Sequence, residues 1–233
     1  MPNLSLCMKV SVIIPALNEE ASIGLVVQAV REHVPHVVVV DNGSTDDTAH
    51  VAREAGAVVV PQTERGYGAA CLRGIEELAL DPPDVVLFVD GDFSDHPDDV
   101  VDVLAPVVQG TADLVIGSRV SGTRERGSLT PQQVFGNWLA TTLIRLRWGV
   151  AFTDLGPMRA IRWSTLVAMN MVDRNYGWTV EMQIKAARMK VRSVEVPVRY
   201  RRRIGTSKVS GTVKGTIMAG VIILKTIAQY ALR

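Results

Sequence analysis

The sequence predicts an α/β fold with a mostly parallel central sheet flanked by helices. Two observations predict it. Short segments, almost wholly apolar and rich in β-branched residues, recur through the first half of the chain, as is typical of strands covered on both faces. Segments that suit helices separate them, and this alternation favours helical crossovers between parallel strands. The predicted strands are Val10–Ile14, Val37–Val40, Ala57–Val60, Val85–Val89 and Leu114–Ile116.

The remainder of the chain is less regular and predicts two helices and one further strand. The first helix spans residues 131–148, and Pro131 suits its first position. A second helix is expected over Thr179–Met189. Val191–Tyr200 alternates apolar and polar residues, which indicates a strand with one covered face.

The last apolar stretch, Gly215–Leu232, has 18 residues but is interrupted by Lys225 and Gln229. A charge near the middle of a spanning helix is costly in lipid, so the prediction is an amphipathic helix. Lys208 and Lys214 precede the stretch and Lys225 lies within it, and these three lysines suit the surface of an anionic membrane leaflet. Alternatively, one apolar face packs on the core or on a second subunit in a homodimer. That face would contain Ile217, Val221, Leu224 and Ala228.

Composition predicts one globular domain, residues 1–233, in a reducing compartment. Hydrophobic residues make up 47% of the chain and charged residues 21%, which is ordinary for a folded protein. Cys7 and Cys71 form neither a disulfide framework nor a metal-binding spacing. The N-terminus lacks the pattern of a signal peptide, so a cytoplasmic location is expected.

The net charge of +1 conceals two regions of opposite sign. Residues 1–118 carry 5 basic and 19 acidic side chains, a net charge of −14. Residues 185–233 carry 12 basic side chains and one acidic side chain, a net charge of +11. Such a division suits ordinary solvated faces, and it also suits a C-terminal segment that meets phosphates or a membrane surface.

Polar clusters follow the five predicted strands. Ligands of parallel sheets bind outside the carboxyl ends of the strands, so five clusters at that edge favour a binding site. One cluster alone would indicate only a turn and a helix cap. The clusters are residues 15–19, 41–46, 65–68, 90–92 and 117–119.

Asp90 and Asp92 follow the fourth predicted strand and are separated by one glycine. Two neighbouring carboxylates need compensation by a cation or by hydrogen-bond donors. Hard oxygen ligands select Mg²⁺ or Mn²⁺, which can bridge to a diphosphate. The alternative is structural, with Asp92, Ser94, Asp95 and Pro97 at the start of the helix that follows His96.

Three ordered motifs carry a family resemblance: VIIPALNEE at residues 12–20, VDNGSTDDT at 40–48 and DGDFSDHP at 90–97. They resemble the family-2 glycosyltransferases of the GT-A fold, and most of all the dolichyl- and polyprenyl-phosphate mannose or glucose synthases. The resemblance implies a metal-dependent, inverting enzyme that uses a nucleotide diphosphate sugar of the GDP-mannose or UDP-glucose type. It extends to three further segments, residues 117–119, 154–159 and 201–208.

The resemblance also implies roles for individual residues. Asp41 would bind the base or ribose of the donor. Asp90 and Asp92 would hold the metal on the diphosphate, with Ser94 at the position where relatives supply a third ligand. The remaining residues expected beside the nucleotide are Pro15, Ala16, Asn18, Glu19, Arg65, Gly66 and Gly68.

Arginines after the fifth strand would serve phosphate groups. Arg119, Arg124 and Arg126 are the candidates, and Arg119 joins Asp92 as an expected catalytic residue. The stretch 121–130 also suits a mobile surface loop, in which its arginines would only be solvated. The resemblance divides the chain into a nucleotide-sugar-binding half, an acceptor-side half and a C-terminal amphipathic helix: residues 1–118, 119–209 and 210–233.

The basic segment YRRRIGTSK, residues 200–208, suits a phosphate or diphosphate better than a packed core. Nucleic acid is not expected as a partner, because the acidic first half would repel a polyanion and base-stacking aromatic residues are not interleaved. The ligand-binding candidates in the segment are Arg201, Arg203, Ser207 and Lys208.

The acceptor decides whether a general base is needed. A polyprenyl phosphate is already anionic, so catalysis would rest on orientation and on stabilising the leaving diphosphate. A hydroxyl acceptor needs a base, for which Glu181 is the candidate. Alternatively, Glu181 is an exposed residue in the first turn of a helix. Asp154 is expected to shape the acceptor side.

Two other classes fit the sequence less well. A dinucleotide-dependent oxidoreductase needs a Gly-x-Gly-x-x-Gly turn after the first strand, where this chain has PALNE. A non-catalytic nucleotide-sugar-binding protein remains an alternative, although the presence of both Asp90 and Asp92 weighs against it.

Overall fold

The computed structural model describes residues 8–205 and 213–232, which contain a seven-stranded sheet. Four of the five strands predicted in the first half lie within two residues of their expected bounds at both ends. The strands are β1 (Val10–Ala16), β2 (Val37–Asp41), β3 (Val58–Pro61), β4 (Val85–Phe88), β5 (Leu114–Arg124), β6 (Arg159–Arg162) and β7 (Ser193–Tyr200).

The strand order in the sheet is β3-β2-β1-β4-β6-β5-β7. Neighbouring strands are parallel except at β6, which runs antiparallel to both β4 and β5. This arrangement confirms the predicted α/β class with a mostly parallel sheet. Because β1, β2 and β4 are neighbours, the loops at their carboxyl ends meet at one edge.

Helices cover both faces of the sheet. The predicted helices at 131–148, 179–189 and 215–232 are present, each within two residues of its expected bounds. The helices of the described residues are α1 (Ile23–Arg31), α2 (Thr48–Glu54), α3 (Tyr67–Leu78), α4 (Asp99–Val108), α5 (Pro131–Trp148), α6 (Trp163–Met169), α7 (Trp178–Arg188) and α8 (Val213–Ala231).

The core has one layer on each face of the sheet. In β2, Val37 and Val39 belong to one layer, whereas Val38 and Val40 belong to the other. Helices α1 and α4 close the first layer, and α3, α5, α7 and α8 close the second. Because both faces are covered, the strand is apolar at each position from Val37 to Val40, as the sequence pattern indicates.

β5 is longer than predicted, because it continues beside β7 as far as Arg124. Thr123 and Arg124 pair with the end of β7 after an irregular step in the register. The expectation of a surface loop over residues 121–130 is therefore wrong for its first part. For the same reason residues 117–119 lie within a strand and not after one.

β6 is a strand that the sequence pattern does not predict. Its four residues place two apolar side chains between Arg159 and Arg162, which is no recognisable strand signal. Pairing with β4 and β5 makes it an internal strand of the sheet, and Arg159 is fully buried there. Only these long-range pairings define the element.

The two sides of α8 have different environments. Ile227 is buried against the core, whereas Val221, Leu224 and Ala228 are exposed. The expectation that these three residues pack on the core is therefore wrong, and the side chain of Ile217 lies outside the described part. Within residues 8–205 and 213–232, no helix is long and apolar enough to cross a bilayer.

Candidate active site

Hydrogen bonds join the loops after β1, β2 and β4. Asn18 adopts a left-handed conformation with φ of 53°, and its Oδ1 accepts the Thr45 N–H at 2.8 Å. The Asn18 N–H donates to Ser44 Oγ at 2.9 Å. On the other side, the Ser22 hydroxyl donates to the Gly91 carbonyl at 2.8 Å. The structure thus brings three of the predicted polar clusters together.

Asp90 follows the end of β4 and is half-buried. The Tyr67 hydroxyl donates a hydrogen bond to Asp90 Oδ1 at 3.1 Å. Burial, followed by the neighbouring charge of Asp92, raises the pKa of Asp90 from 3.8 to about 7. The shift means that negative charge is poorly compensated at this position, so a cation would be held favourably.

Asp92 is buried and is oriented from within its own loop. Its Oδ1 accepts hydrogen bonds from the Ser94 hydroxyl and, at 2.9 Å, from the Ser94 N–H. Helix α4 begins only at Asp99, after Asp98, and no side-chain cap bond is present there. The structural alternative, in which Asp92 and Ser94 start that helix, is therefore wrong.

Asp95 is a third carboxylate beside the pair. The residue is 3% exposed, and neither of its carboxylate oxygens has a hydrogen-bond partner. Burial, followed by the charges of Asp90 and Asp92, raises its pKa well above the usual range. Sequence reasoning assigned Asp95 only to a helix start, although its place three residues after Asp92 was a signal for a third acidic group.

These carboxylates fit a divalent cation that also has other ligands. Unpartnered, buried oxygens and a raised pKa mark a place where positive charge is missing. Among residues 8–205 and 213–232, no group of three His, Cys, Asp or Glu side chains is arranged to hold a metal. Mg²⁺ commonly takes one or two carboxylates and completes its shell with water and substrate phosphates. Asp90 and Asp92 therefore suit such an ion when a diphosphate is bound.

Arg203 links the basic segment to the carboxylates. Its guanidinium lies 2.6 Å from Glu19 Oε1 and 3.2 Å from Asp92 Oδ2. The backbone follows the same loop, because the Arg201 N–H donates to the Ser94 carbonyl at 2.9 Å. Residues 201–204 therefore lie across the loop of Asp92, and their binding of a phosphate stays a prediction. Ser207 and Lys208 lie outside the described residues.

Arg201 is engaged by the loop itself. Its guanidinium lies 3.6 Å from the centre of the Phe93 ring, and its Nε donates to the Phe93 carbonyl at 2.6 Å. Phe93 has a positive φ of 61°, which presents the ring to the guanidinium. Arg201 thus braces the loop, whereas its neighbour Arg203 has its charge directed to the carboxylates.

Arg119 is held by Asp154. Its Nε and Nη2 each donate to the Asp154 carboxylate at 2.7 Å, and its backbone N–H donates at 2.8 Å. Asp154 is fully buried, and this bidentate pair raises the pKa of Arg119 further above its usual range. The Arg119 guanidinium also lies 5.0 Å from the Tyr200 ring. Its charge is thus neutralised within the protein, and a role in binding phosphate stays a prediction.

Glu181 is fully buried in α7, so the alternative of an exposed first-turn residue is wrong. The Tyr230 hydroxyl and Lys185 Nζ each lie 2.7 Å from Oε1. The N–H groups of Val172 and Asp173 donate to the same carboxylate, the latter at 2.7 Å. Four donors therefore fill the positions through which a general base would accept a proton.

The loops after β2 and β3 contact each other beside the loop of Asn18. Asp41 ends β2, and its Oδ1 accepts the Ser44 N–H at 3.1 Å. Arg65 is exposed and donates to the Gly43 carbonyl at 3.1 Å. Both residues border the region of Asn18, so their assignment to the nucleotide stays a prediction that this geometry allows.

Pro15 and Ala16 are the last residues of β1 and not part of the following loop. Pro15 lies opposite Val40, and the Ala16 carbonyl accepts the Asn42 N–H at 2.8 Å. Glu19 closes this loop, because its N–H donates to Thr48 Oγ1 at 2.8 Å. Of these predicted nucleotide contacts, the Glu19 carboxylate is the one directed toward the basic segment.

The two glycines before and within α3 are required by close packing. A Cβ on Gly68 would meet the Asp173 carbonyl carbon at 2.8 Å, and one on Gly66 would overlap the Arg174 carbonyl oxygen. Gly66 also has a positive φ of 147°. Their small size therefore has a structural reason, and contact with the nucleotide remains a prediction.

The sequence profile described as Glycosyl transferase family 2 matches residues 11–166. The chain belongs to this family. The match covers β1 to β6 and includes Asp90, Asp92, Arg119 and Asp154. The match confirms the resemblance of the three motifs to family-2 glycosyltransferases, and the protein is a hexosyltransferase.

Two relatives of this glycosyltransferase match it over nearly their whole length. An uncharacterized glycosyltransferase of Mycobacterium tuberculosis is 37% identical over 94% of this chain and 98% of the relative. An undecaprenyl-phosphate mannosyltransferase of Micrococcus luteus is 34% identical over 92% of this chain and 93% of the relative.

Solved structures confirm the GT-A fold of the glycosyltransferase. Glucosyl-3-phosphoglycerate synthase of Mycobacterium tuberculosis, in complex with Mn²⁺, UDP and glucosyl-3-phosphoglycerate, superposes with a TM-score of 0.77. The alignment covers 98% of this chain and 81% of that chain at 23% identity. At this identity the likeness establishes the fold and not the acceptor.

Two predicted arginines of the glycosyltransferase remain at its surface. Arg124, at the end of β5, and Arg126, beyond it, are both exposed. The Arg126 carbonyl accepts hydrogen bonds from the Arg202 side chain at 2.8 and 3.1 Å. This contact places the end of β5 beside the basic segment, so Arg124 and Arg126 lie near that segment. Neither arginine contacts Asp90 or Asp92 among the described contacts.

Proposed function

We propose that this glycosyltransferase is an inverting, metal-dependent enzyme that transfers a hexose from a nucleotide diphosphate sugar to a polyprenyl phosphate. The observation that carries the proposal is the contact of Arg203 with Asp92 and Glu19. It joins a cationic segment, suited to phosphates, to the carboxylates suited to a divalent cation.

Asp90 and Asp92 would hold Mg²⁺ or Mn²⁺, which would neutralise charge on the diphosphate as it leaves. Arg203 adds a second positive charge beside Asp92, where the departing diphosphate needs it. The bond from the anomeric carbon to the nucleotide diphosphate breaks, and a bond to an acceptor phosphate oxygen forms on the opposite face. Asn18, Asp41 and the loops they join would orient the donor.

The state of Glu181 supports a phosphate acceptor over a hydroxyl acceptor. An anionic phosphate acceptor needs no general base, and the four donors around Glu181 leave it poorly suited to that role. The similarity to an undecaprenyl-phosphate mannosyltransferase over most of both chains supports the same class of acceptor.

The test is release of nucleoside diphosphate from GDP-mannose and from UDP-glucose, each with Mn²⁺ or Mg²⁺. Undecaprenyl phosphate, 3-phosphoglycerate and no acceptor are compared as three arms. Turnover that depends on undecaprenyl phosphate supports the proposal. Turnover that requires 3-phosphoglycerate, or that ignores both acceptors, would contradict the polyprenyl phosphate assignment.

Asp92→Asn provides the matched test of the site. The substitution removes the charge that faces Arg203 and the proposed cation, so we expect turnover to fall by about 10²-fold or more. Asp102→Asn, at an exposed position on α4, is the control and should retain activity. Equal activity of the two variants would exclude Asp92 from the reaction.

A further inference from the structure

The outward faces of α5 and α8 carry a run of exposed apolar side chains. On α5 these are Val134, Phe135, Trp138 and Leu146, with exposed fractions of 39%, 60%, 58% and 78%. On α8 they are Met218, Val221 and Leu224, with exposed fractions of 47%, 59% and 42%. We call these seven residues the α5–α8 surface.

The α5 residues form one stripe along their helix. At about 100° per residue, Val134, Phe135, Trp138 and Leu146 fall within about 120° of the helix circumference. Ala140 and Ile144, on another side, are fully buried in the core. The apolar stripe is therefore additional to the face that stabilises the fold.

The two stripes belong to one surface of the molecule. Helices α5 and α8 pack against each other, and both bury residues in the same core layer. The Arg147 side chain donates to the Ala231 carbonyl at 3.1 Å, which joins their carboxyl ends. At the other end of α5, the Phe135 and Trp138 rings lie 5.8 Å apart and are both exposed.

The charged residues of the two helices that form the α5–α8 surface have a single sign. Helix α5 contains Arg145 and Arg147, α8 contains Lys214 and Lys225, and neither helix contains an acidic residue. Arg145 lies within the α5 stripe, and Lys225 is exposed on α8. Apolar and aromatic side chains among cations complement an anionic lipid surface, whereas a second copy would oppose like charges.

We propose that the α5–α8 surface docks this protein on an anionic membrane, with Phe135 and Trp138 inserted at the level of the headgroups. Aromatic rings of this kind favour the boundary between headgroups and acyl chains. Asn137, next to Trp138, donates to the Thr153 carbonyl at 2.9 Å and accepts the Leu155 N–H at 2.8 Å. Docking would therefore set the membrane beside the loop of Asp154, which holds Arg119.

The proposal does not depend on the acceptor, because binding can be measured without donor, metal or polyprenyl phosphate. The full chain is sedimented with vesicles of phosphatidylcholine alone and with vesicles that also contain phosphatidylglycerol. We expect binding to the anionic vesicles, weakened by added salt. If the protein binds neither kind of vesicle, the proposal is overturned.

The double variant Phe135→Ser, Trp138→Ser identifies the surface. We expect it to lower the partition coefficient by at least about tenfold, because both inserted rings are lost. Leu25→Ser, at a position on α1 that is 46% exposed, is the matched control and should bind as the parent does. Both substitutions lie at exposed positions, so a melting curve should show folded protein.

A second measurement separates a membrane from a second copy of the chain. Lipids brominated near the headgroup should quench part of the tryptophan fluorescence, and Trp138→Phe should remove most of that quenching while binding persists. Unchanged quenching in Trp138→Phe would overturn the proposed insertion. A dimer in solution that the double variant converts to monomer, without vesicle binding by the parent, would assign the surface to self-association instead.

Discussion

Asp90, Asp92 and Asp95 lie in one short loop but differ in what compensates their charges. Asp92 accepts hydrogen bonds from Ser94 and forms an ion pair with Arg203. Asp90 accepts a hydrogen bond from the Tyr67 hydroxyl, whereas the carboxylate of Asp95 has no hydrogen-bond partner. Water and counterions would compensate such charges at a surface, but this loop is largely buried. Without a compensating cation, this arrangement of carboxylates lowers stability.

Asp90→Asn should stabilise the protein in the presence of a metal chelator. The folded-state pKa of Asp90 is raised to about 7 from 3.8, so ionisation opposes folding increasingly as pH rises between these values. We expect the variant to be more stable by roughly 1–3 kcal/mol above pH 7, with little difference below pH about 4. Urea unfolding across this pH range measures the difference.

Asp102→Asn is the control for the Asp90 prediction, since Asp102 is exposed on α4. Any change that Asp102→Asn makes to the free energy of unfolding should not depend on pH in the way expected for Asp90→Asn. A stability gain from Asp90→Asn that is equal at low and high pH would show that ionisation of Asp90 is not its cause.

Glu181→Gln should lower stability more than it lowers turnover. The carboxylate is buried, and it receives the Tyr230 hydroxyl, the Lys185 ammonium and two backbone N–H groups. Loss of its charge leaves Lys185 without its acidic partner, which we expect to cost about 2–4 kcal/mol.

The Glu181→Gln effect is measured by thermal unfolding and by kcat at a temperature where the variant is folded. Conversely, a fall in kcat of about 10²-fold or more at unchanged stability would indicate a general base and a hydroxyl acceptor. Lys185→Met is a useful comparison, since it disrupts the same pair from its other side.

At the scale of elements, packing between distant segments positions the loops. The start of α3 lies against residues 173–175, where the Gly68 N–H donates to the Asn175 carbonyl at 3.2 Å. Asn42 connects the same region to β2, because its Oδ1 accepts the Gly66 N–H at 2.8 Å. Tyr67, between the two glycines, is thereby placed to reach Asp90.

Gly68→Ala should destabilise this junction. The added Cβ would meet the backbone of Asp173 and Arg174, which cannot yield as a flexible side chain would. We expect a loss of roughly 1–3 kcal/mol and weaker donor binding, because Tyr67 would shift away from Asp90. Thermal unfolding and calorimetric titration with nucleotide measure the two effects.

Gly136→Ala is the matched control for Gly68→Ala. Gly136 is also helical, but a Cβ there meets nothing within 4 Å. Alanine favours the helix over glycine, so this variant should be stabilised by up to about 1 kcal/mol. A loss of stability at Gly136 equal to that at Gly68 would show that helix geometry and not the contact with Asp173 is responsible.

At the scale of the whole molecule, the acidic and basic regions of the chain meet at the site. Arg203 and Glu19 are 184 positions apart in sequence, yet their side chains form an ion pair at 2.6 Å. The same guanidinium reaches Asp92. Part of the charge asymmetry therefore has a local function, because it concentrates opposite charges where a cation and a diphosphate would bind.

Arg203→Gln should have opposite effects on two ligands. Without a competing guanidinium beside Asp92, Mn²⁺ should bind the nucleotide-free protein about threefold to tenfold more tightly. Nucleoside diphosphate should bind more weakly in the presence of metal, because a positive charge is lost. Arg202→Gln, at the exposed neighbouring position, is the control for both titrations. If Mn²⁺ and nucleoside diphosphate both bind more weakly, the substitution has instead disrupted the loop of Asp92.

Much of this architecture could be predicted because it depends on local patterns. Apolar strands, the Pro131 helix start and the paired carboxylates are visible within a few residues, and four of the first five strands were correctly placed. β6 was missed, because two arginines around two apolar residues make a strand only between β4 and β5. The extension of β5 was missed because β7 pairs with it from far along the chain.

The sequence by itself determined the α/β class, the family and the edge of the sheet at which the predicted polar clusters after β1, β2 and β4 meet. These properties follow from periodicity and short motifs, which depend on neighbouring residues. Only the tertiary structure decided that Glu181 is held by four donors, that Asp95 joins Asp90 and Asp92, and that Arg203 reaches Asp92. Each of these depends on burial and on contacts between distant segments, which set the charge and availability of a side chain and are not encoded at its own position.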